Sequence, residues 1–271
     1  MRNCISSLFR MRTAALAAAL FFFALPCCGG VVGALTPHHG VAGALIDRLY
    51  ARIQSINPRP RRVIVIGPDH FHRAKRNIVA GASDWGRENL LRGDAEGAKA
   101  AGLFRQDEVA RRDHCITEHI PRIAKFFPGT SVLSIIVRSS ATDLQVLRMC
   151  QALEELLRDG DSLVLLSMDL SHYKPREQSD AEDARSLEQI QNFRLAALND
   201  ADIDCPRGAR LFLMLMKRLG LTRAEILERS NSADFIRGPS ERTTGHATAL
   251  FTRQEGRGKP RTSPTAPINA D

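Results

Sequence analysis

Val63-Ile64-Val65-Ile66-Gly67-Pro68-Asp69-His70 is the stretch that decides the fold. Four β-branched residues in a row show no polar alternation, so the strand they form must be buried on both faces. Gly67-Pro68 ends the run and lifts His70 out of the strand. Working outward, Val31 to Thr36 reads as an earlier strand that runs into Pro37-His38-His39-Gly40. Ser131 to Val137 reads as a third strand, and Leu163 to Ser167 as a fourth that delivers Asp169 and His172. Ala247 to Thr252 reads as a last one. Helical spacing (Val41, Leu45, Leu49, Ile53) fills the gap before Pro58 and Pro60. Further helices are expected over Asp107 to Phe127, Ala141 to Arg158, Asp180 to Asn199 and Arg207 to Leu219, the last closed by Gly220. Strands alternating with helices imply an α/β fold, a single-domain sandwich of helices around a central mixed or parallel sheet.

The formal charge of +8 does not point to nucleic acid. Three of the charges, Arg2, Arg10 and Arg12, lie in a leader without acidic residues. Four more basic residues, Arg253, Arg257, Lys259 and Arg261, flank or occupy a polar tail. One Trp and two Tyr leave little for stacking on bases. Residues 1–30 have the form of a secretory leader: arginines, the apolar stretch Thr13 to Leu25, then Pro26-Cys27-Cys28-Gly29-Gly30. The apolar stretch is shorter than the roughly 20 residues of a spanning helix. Cleavage, lipidation at Cys27 or Cys28, and retention as an anchor all stay open, and each implies an exported protein. Membrane association is expected only through this leader or its lipid. The domain is expected over 31–253, and 254–271 as a disordered tail. Cys115, Cys150 and Cys205 remain, so either one bridge forms or all three stay reduced.

Eight histidines occur in the chain, and four strand-end or loop motifs hold five of them. The motifs are Pro37-His38-His39-Gly40, Gly67-Pro68-Asp69-His70, Asp113-His114-Cys115-Ile116 and Asp169-Leu170-Ser171-His172-Tyr173. Imidazoles delivered to one end of neighbouring strands can build a metal or acid–base site from distant parts of a chain. His38 and His70 are the foremost candidates, with His39 holding a claim of its own and His72 peripheral. His172 is a candidate general base, oriented by Asp169, with Ser171 or Tyr173 donating to a substrate oxygen. A Ser–His–Asp hydrolase is disfavoured, since Ser171 adjoins His172 and no GxSxG elbow is present. His114 belongs at the pocket rim, whereas Glu118 and His119 read as structural. Cys205 precedes a helix, where the dipole favours a thiolate. Cys150 fits an apolar helical face.

Taken in order, these motifs and Asp204-Cys205-Pro206 resemble the Memo family, whose prokaryotic members are called AmmeMemoRadiSam system protein B. The likeness runs from Val31 to Phe251. It implies a fold related to class III extradiol dioxygenases, with a metal ion, iron before copper or zinc, at the strand ends. Carried over, His38, His70 and Cys205 would be the ligands, with His172 and His114 as catalytic, pocket-lining residues. Some features depart from the pattern. Pro206 follows Cys205 where glycine is usual, and Val41 stands where the family has an aromatic. Thr243-Thr244-Gly245-His246 replaces a Ser/Thr-Ser-Tyr-like segment. A slip of one residue would make Asp204 the ligand and give a His-His-carboxylate set. The resemblance thus implies a metal-dependent redox or dioxygenase-like enzyme acting on a small molecule. The alternative is a non-catalytic module that binds a ligand, a peptide or the metal itself.

Overall fold

A computed structural model describes residues 32–86, 91–158, 160–236 and 241–253. The expected leader and the tail after Arg253 lie outside the described residues. In chain order the elements are β1 (Val32–Thr36), α1 (Gly43–Ile56), β2 (Arg62–Pro68), β3 (Ile78–Gly81) and β4 (Arg92–Gly93). Next come α2 (Ala95–Ala100), α3 (Asp107–Ala110), α4 (His114–Thr117), α5 (Ile120–Phe126), β5 (Ser131–Val137) and α6 (Asp143–Leu156). The chain continues through β6 (Ser162–Ser167), β7 (His172–Lys174), α7 (Arg176–Gln191), α8 (Pro206–Arg218), β8 (Arg223–Asn231) and β9 (Thr243–Thr252). Among the described residues no helix is long and apolar enough to cross a membrane.

The strands form one mixed sheet in the order β3-β5-β2-β6-β1-β9-β7, with β4 beside β5 and β8 beside β9. Its centre, β5-β2-β6-β1, is parallel, and β3 and β9 run antiparallel at its flanks. The pleat explains why the central strands carry no polar alternation. Ile64 and Ile66 of β2 pack on one face with Val164, Leu166, Phe212 and Met216. Val63 and Val65 pack on the other with Leu163, Leu165, Ile46 and Ile53. Both faces are covered, so both sets of residues must be apolar. Each such side chain contributes roughly 1.5–3 kcal/mol relative to exposure.

The expected helix over Asp107 to Phe127 is instead three short ones. Asp113 breaks it by accepting a hydrogen bond from the Cys115 backbone N–H, which starts α4 afresh. Pro121 then sits in the first turn of α5. The charged helix expected to reach Asn199 ends at Gln191, and β9 starts four residues before the strand expected from Ala247. Cys115, Cys150 and Cys205 are all free, buried thiols, which settles the choice left open above.

Candidate metal centre

Strands β1, β2 and β6 are parallel neighbours, so their carboxyl ends open at one place. β1 delivers His38 there, β2 delivers His70 and β6 delivers Asp169. The loop before α8 brings Asp204 to the same point. Asp69 holds the turn after β2 by accepting from the backbone N–H groups of Arg73 and Ala74, both at 3.0 Å. Gly67 lets α4 come close, since a Cβ there would stand 2.6 Å from Cys115 Sγ. That approach carries Asp113 and His114 to His70.

The rings of His38, His70 and His114 converge. Centroids lie 4.8 Å apart for His38 and His70, 5.0 Å for His38 and His114, and 4.0 Å for His70 and His114, the last pair stacked. Their nitrogens form one group of potential ligand atoms, all within 4.8 Å of one another. Asp204 enters the same cluster: its Oδ2 is 3.0 Å from His38 Nε2 and 3.6 Å from His70 Nε2. His38 Nε2 and Asp204 Oδ2 are buried, and outside this cluster neither has a hydrogen-bond partner. Two orphaned acceptor-type atoms aimed at each other fit a bound cation, which would satisfy both at once.

The remaining polar atoms of these side chains are fixed from behind. His70 Nδ1 lies 2.7 Å from Asp113 Oδ1, and the other carboxylate oxygen accepts from the His70 backbone N–H at 3.0 Å. Asp204 Oδ1 accepts from the Asp169 backbone N–H at 3.2 Å. Asp169 Oδ1 in turn accepts from the His38 backbone N–H at 3.2 Å. His38 Nδ1 meets Ser167 Oγ at 3.0 Å. Ser167 Oγ lies 3.1 Å from His119 Nε2, and His119 Nδ1 lies 3.1 Å from the Tyr50 hydroxyl. With His38 donating from Nδ1, the chain runs through the Ser167 hydroxyl to His119 and on to Tyr50. That leaves the His38 Nε2 lone pair for a ligand role. A histidine whose far nitrogen is held by a carboxylate or hydroxyl is the usual outer arrangement of a metal site.

Electrostatics agree. Burial works against a charge on His38, but Asp204 and Asp169 hold its pKa above the ordinary value. Burial opposes charge on His70 too, yet Asp113 and Asp204 raise it to about 9. Asp204 is pushed well below the usual carboxylate range, because His38 and His70 outweigh its burial. The cluster therefore draws positive charge into a buried place. His114 goes the other way, down to about 4, through burial and the neighbouring His70 and His38. A cleft of about 200 Å³ leads in, lined by His70, His72, Asp204 and Arg207 among others.

The expected site residues divide into three places. His38, His70 and His114 are brought together. Cys205 is not: among the described residues it belongs to none of the groups of facing ligand atoms. Its sulfur packs where a Cβ on Gly208 would stand, at 2.3 Å, near Ile66. Burial pushes this thiol well up, which outweighs the expected help from the helix dipole. His172 sits elsewhere, with its ring stacked at 6.5 Å on His39. Asp169 does not orient it, since His172 Nδ1 lies 2.9 Å from the Leu170 carbonyl oxygen. Ser171 is buried against Ser179 and Asp183, so it cannot reach a substrate. His119, expected to be structural, is fully buried in the Tyr50–Ser167 chain. Two contributors went unread. Asp113 could have been found as the acid beside His114 at a helix start. His246 lies inside a strand, in the 243–246 segment that reads only as a departure from the family pattern.

Residues 30–250 match the family model described as Memo-like protein. A MEMO1 family protein of Caldivirga maquilingensis is 26% identical over 237 residues, covering 82% of this chain and 83% of that one. Another from Nitrosopumilus maritimus is 25% identical, covering 82% and 85%. Among solved structures, the uncharacterized protein JW3007 from Escherichia coli K12 superposes with a TM-score of 0.56 at 13% identity. It covers 81% of this chain and 99% of that one, a likeness of fold alone.

Proposed function

The chain belongs to the Memo-like protein family, and from that premise we propose that it is a metal-dependent oxidoreductase with a dioxygenase-like centre. His38, His70 and Asp204 hold the ion, and His114 lies against it as a third ring. The observation that carries this reading is the position of Asp204 Oδ2 against both His38 Nε2 and His70 Nε2. Two imidazoles and one carboxylate with open positions are the donor set of non-haem Fe(II) oxygenases, so iron is the preferred ion. When bound, iron supplies one-electron redox chemistry and room for an oxidant and a substrate. The chain's own residues do the rest. Asp113 keeps His70 oriented, and the Ser167–His119–Tyr50 chain does the same for His38. His114, half exposed at the rim, is placed to take a proton from a substrate hydroxyl. The cleft beside Arg207 admits a small molecule rather than a folded partner. The basic and apolar leader favours an exported setting for this activity.

The test is metal content after purification without oxygen, with oxygen uptake measured against a panel of small phenolic and enolic acids. Close to one iron per chain, lost in both His38→Ala and His70→Ala, is the expected result. A well-folded protein that takes up no iron, copper or zinc on reconstitution would overturn the enzyme reading and leave a ligand-binding cleft.

A further inference from the structure

Asp169 has a second face. Its Oδ2 lies 3.5 Å from His38 Nε2 and 3.6 Å from His39 Nδ1. His39 Nδ1 in turn lies 3.4 Å from His246 Nε2. The loop after β1, the loop after β6 and the interior of β9 thus contribute three donor atoms, all within 4.8 Å of one another.

These separations do not describe a hydrogen-bonded triad. A real His–carboxylate bond is present in the same protein, between His70 and Asp113, and it measures 2.7 Å. At 3.6 Å, His39 and Asp169 face each other without bonding, and the one hydrogen bond of the group, between His39 Nδ1 and His246 Nε2, is long at 3.4 Å. Nor does packing account for the imidazole at 246. The residue is fully buried, and its Nδ1 has no partner. Its other ring nitrogen, Nε2, is the one that faces His39 and the Asp169 carboxylate group of donors.

We propose that His39 Nδ1, Asp169 Oδ2 and His246 Nε2 bind a second divalent ion of the zinc class, with Asp169 as the carboxylate between the two positions. Two imidazoles and a carboxylate suit zinc and leave a fourth position open. His39 is half exposed, which gives an ion a way in. His172 completes the surroundings. The Leu170 carbonyl takes its Nδ1–H, so Nε2 is free beside His39, within reach of a ligand bound at the open position. This second position has its own two histidines and does not depend on the first being loaded.

Zinc calorimetry on the full chain, stripped with chelator, tests the proposal. Two zinc ions per chain are expected in the native protein. His39→Ala and His246→Gln should each remove one and leave the other within a few-fold in affinity, while His70→Ala should remove the other one. His39 is half exposed, so its alanine variant keeps the fold even where His246→Gln does not. A native stoichiometry of one that His39→Ala leaves unchanged overturns the second site, as does a stoichiometry of two that survives His39→Ala. Failure of the first centre would show separately, as zinc binding indifferent to His70→Ala but lost in His39→Ala.

Discussion

His38 Nε2 and Asp204 Oδ2 stand 3.0 Å apart, both buried, and neither has a hydrogen-bond partner outside the histidine–carboxylate cluster itself. The other polar side-chain atom of each is paired. His38 Nδ1 is held by Ser167, and Asp204 Oδ1 by the Asp169 backbone. The chain therefore spends its local hydrogen bonds on aiming these two atoms and leaves the atoms themselves open. Coupled with His70 Nε2 at 3.6 Å from the same oxygen, that is the geometry of a pre-organised ligand set.

Asp113 should matter to the metal without touching it. It caps α4 and orients His70 with one carboxylate. Asp113→Asn keeps the cap acceptor but loses the charge. Metal affinity measured by competition with a chelator should fall about 10- to 100-fold, with the iron content lowered but not abolished. An unchanged affinity would mean that His70 needs no such support.

The pH dependence of stability should carry a mark of His119. Burial, together with His38 and Arg122, depresses its pKa to about 3, so it is neutral in the folded protein. The unfolded chain takes up that proton near pH 6.5, so the unfolded state binds more protons between about pH 6.5 and 3. Stability from this group is complete above pH 6.5 and declines as pH falls, by at most roughly 1.4 kcal/mol per pH unit. Urea midpoints across this range should drop less steeply in His119→Gln, which keeps a partner for Tyr50 and Ser167. Equal slopes in the two proteins would contradict the depressed value.

Gly67 tests how the site is packed. Its Cβ in Gly67→Ala would meet Cys115 Sγ at 2.6 Å and Cys115 Cβ at 2.9 Å. The backbone of α4 must shift, so denaturant unfolding should show a loss of about 1–3 kcal/mol. Because α4 carries Asp113 and His114, metal affinity should weaken in the same variant. Full stability would mean that the helix can move away at little cost.

How much of this was legible depended on burial. β2, β5 and β6 announced themselves because both faces are covered, so Val63–Ile66 and Leu163–Leu166 show unbroken apolar runs. β8, with the sequence Arg-Ala-Glu-Ile-Leu-Glu-Arg-Ser-Asn, lies half exposed at the edge, and its polar residues hid it. β3, β4 and β7 span two to four residues and are held by their neighbours rather than by propensity. His38 and His70 could be read because each follows a strand of the parallel centre. Asp204 against Cys205 could not be decided, since adjacent loop residues differ only in which way the backbone turns them. His246 was given no role for a different reason: its partners His39 and Asp169 come from loops more than seventy residues away in the chain.

The central claim is that Asp204, not Cys205, completes the first metal position. The most direct measurement is iron affinity of the full chain, without oxygen, in Asp204→Asn and Cys205→Ser side by side. Asp204→Asn should weaken binding by more than about 100-fold, beyond the effect of losing an outer partner. Cys205→Ser should bind within about 3-fold of the native protein, since its sulfur points into the packing beside Gly208 and Ile66. The reverse pattern, with iron lost in Cys205→Ser and kept in Asp204→Asn, would contradict the account.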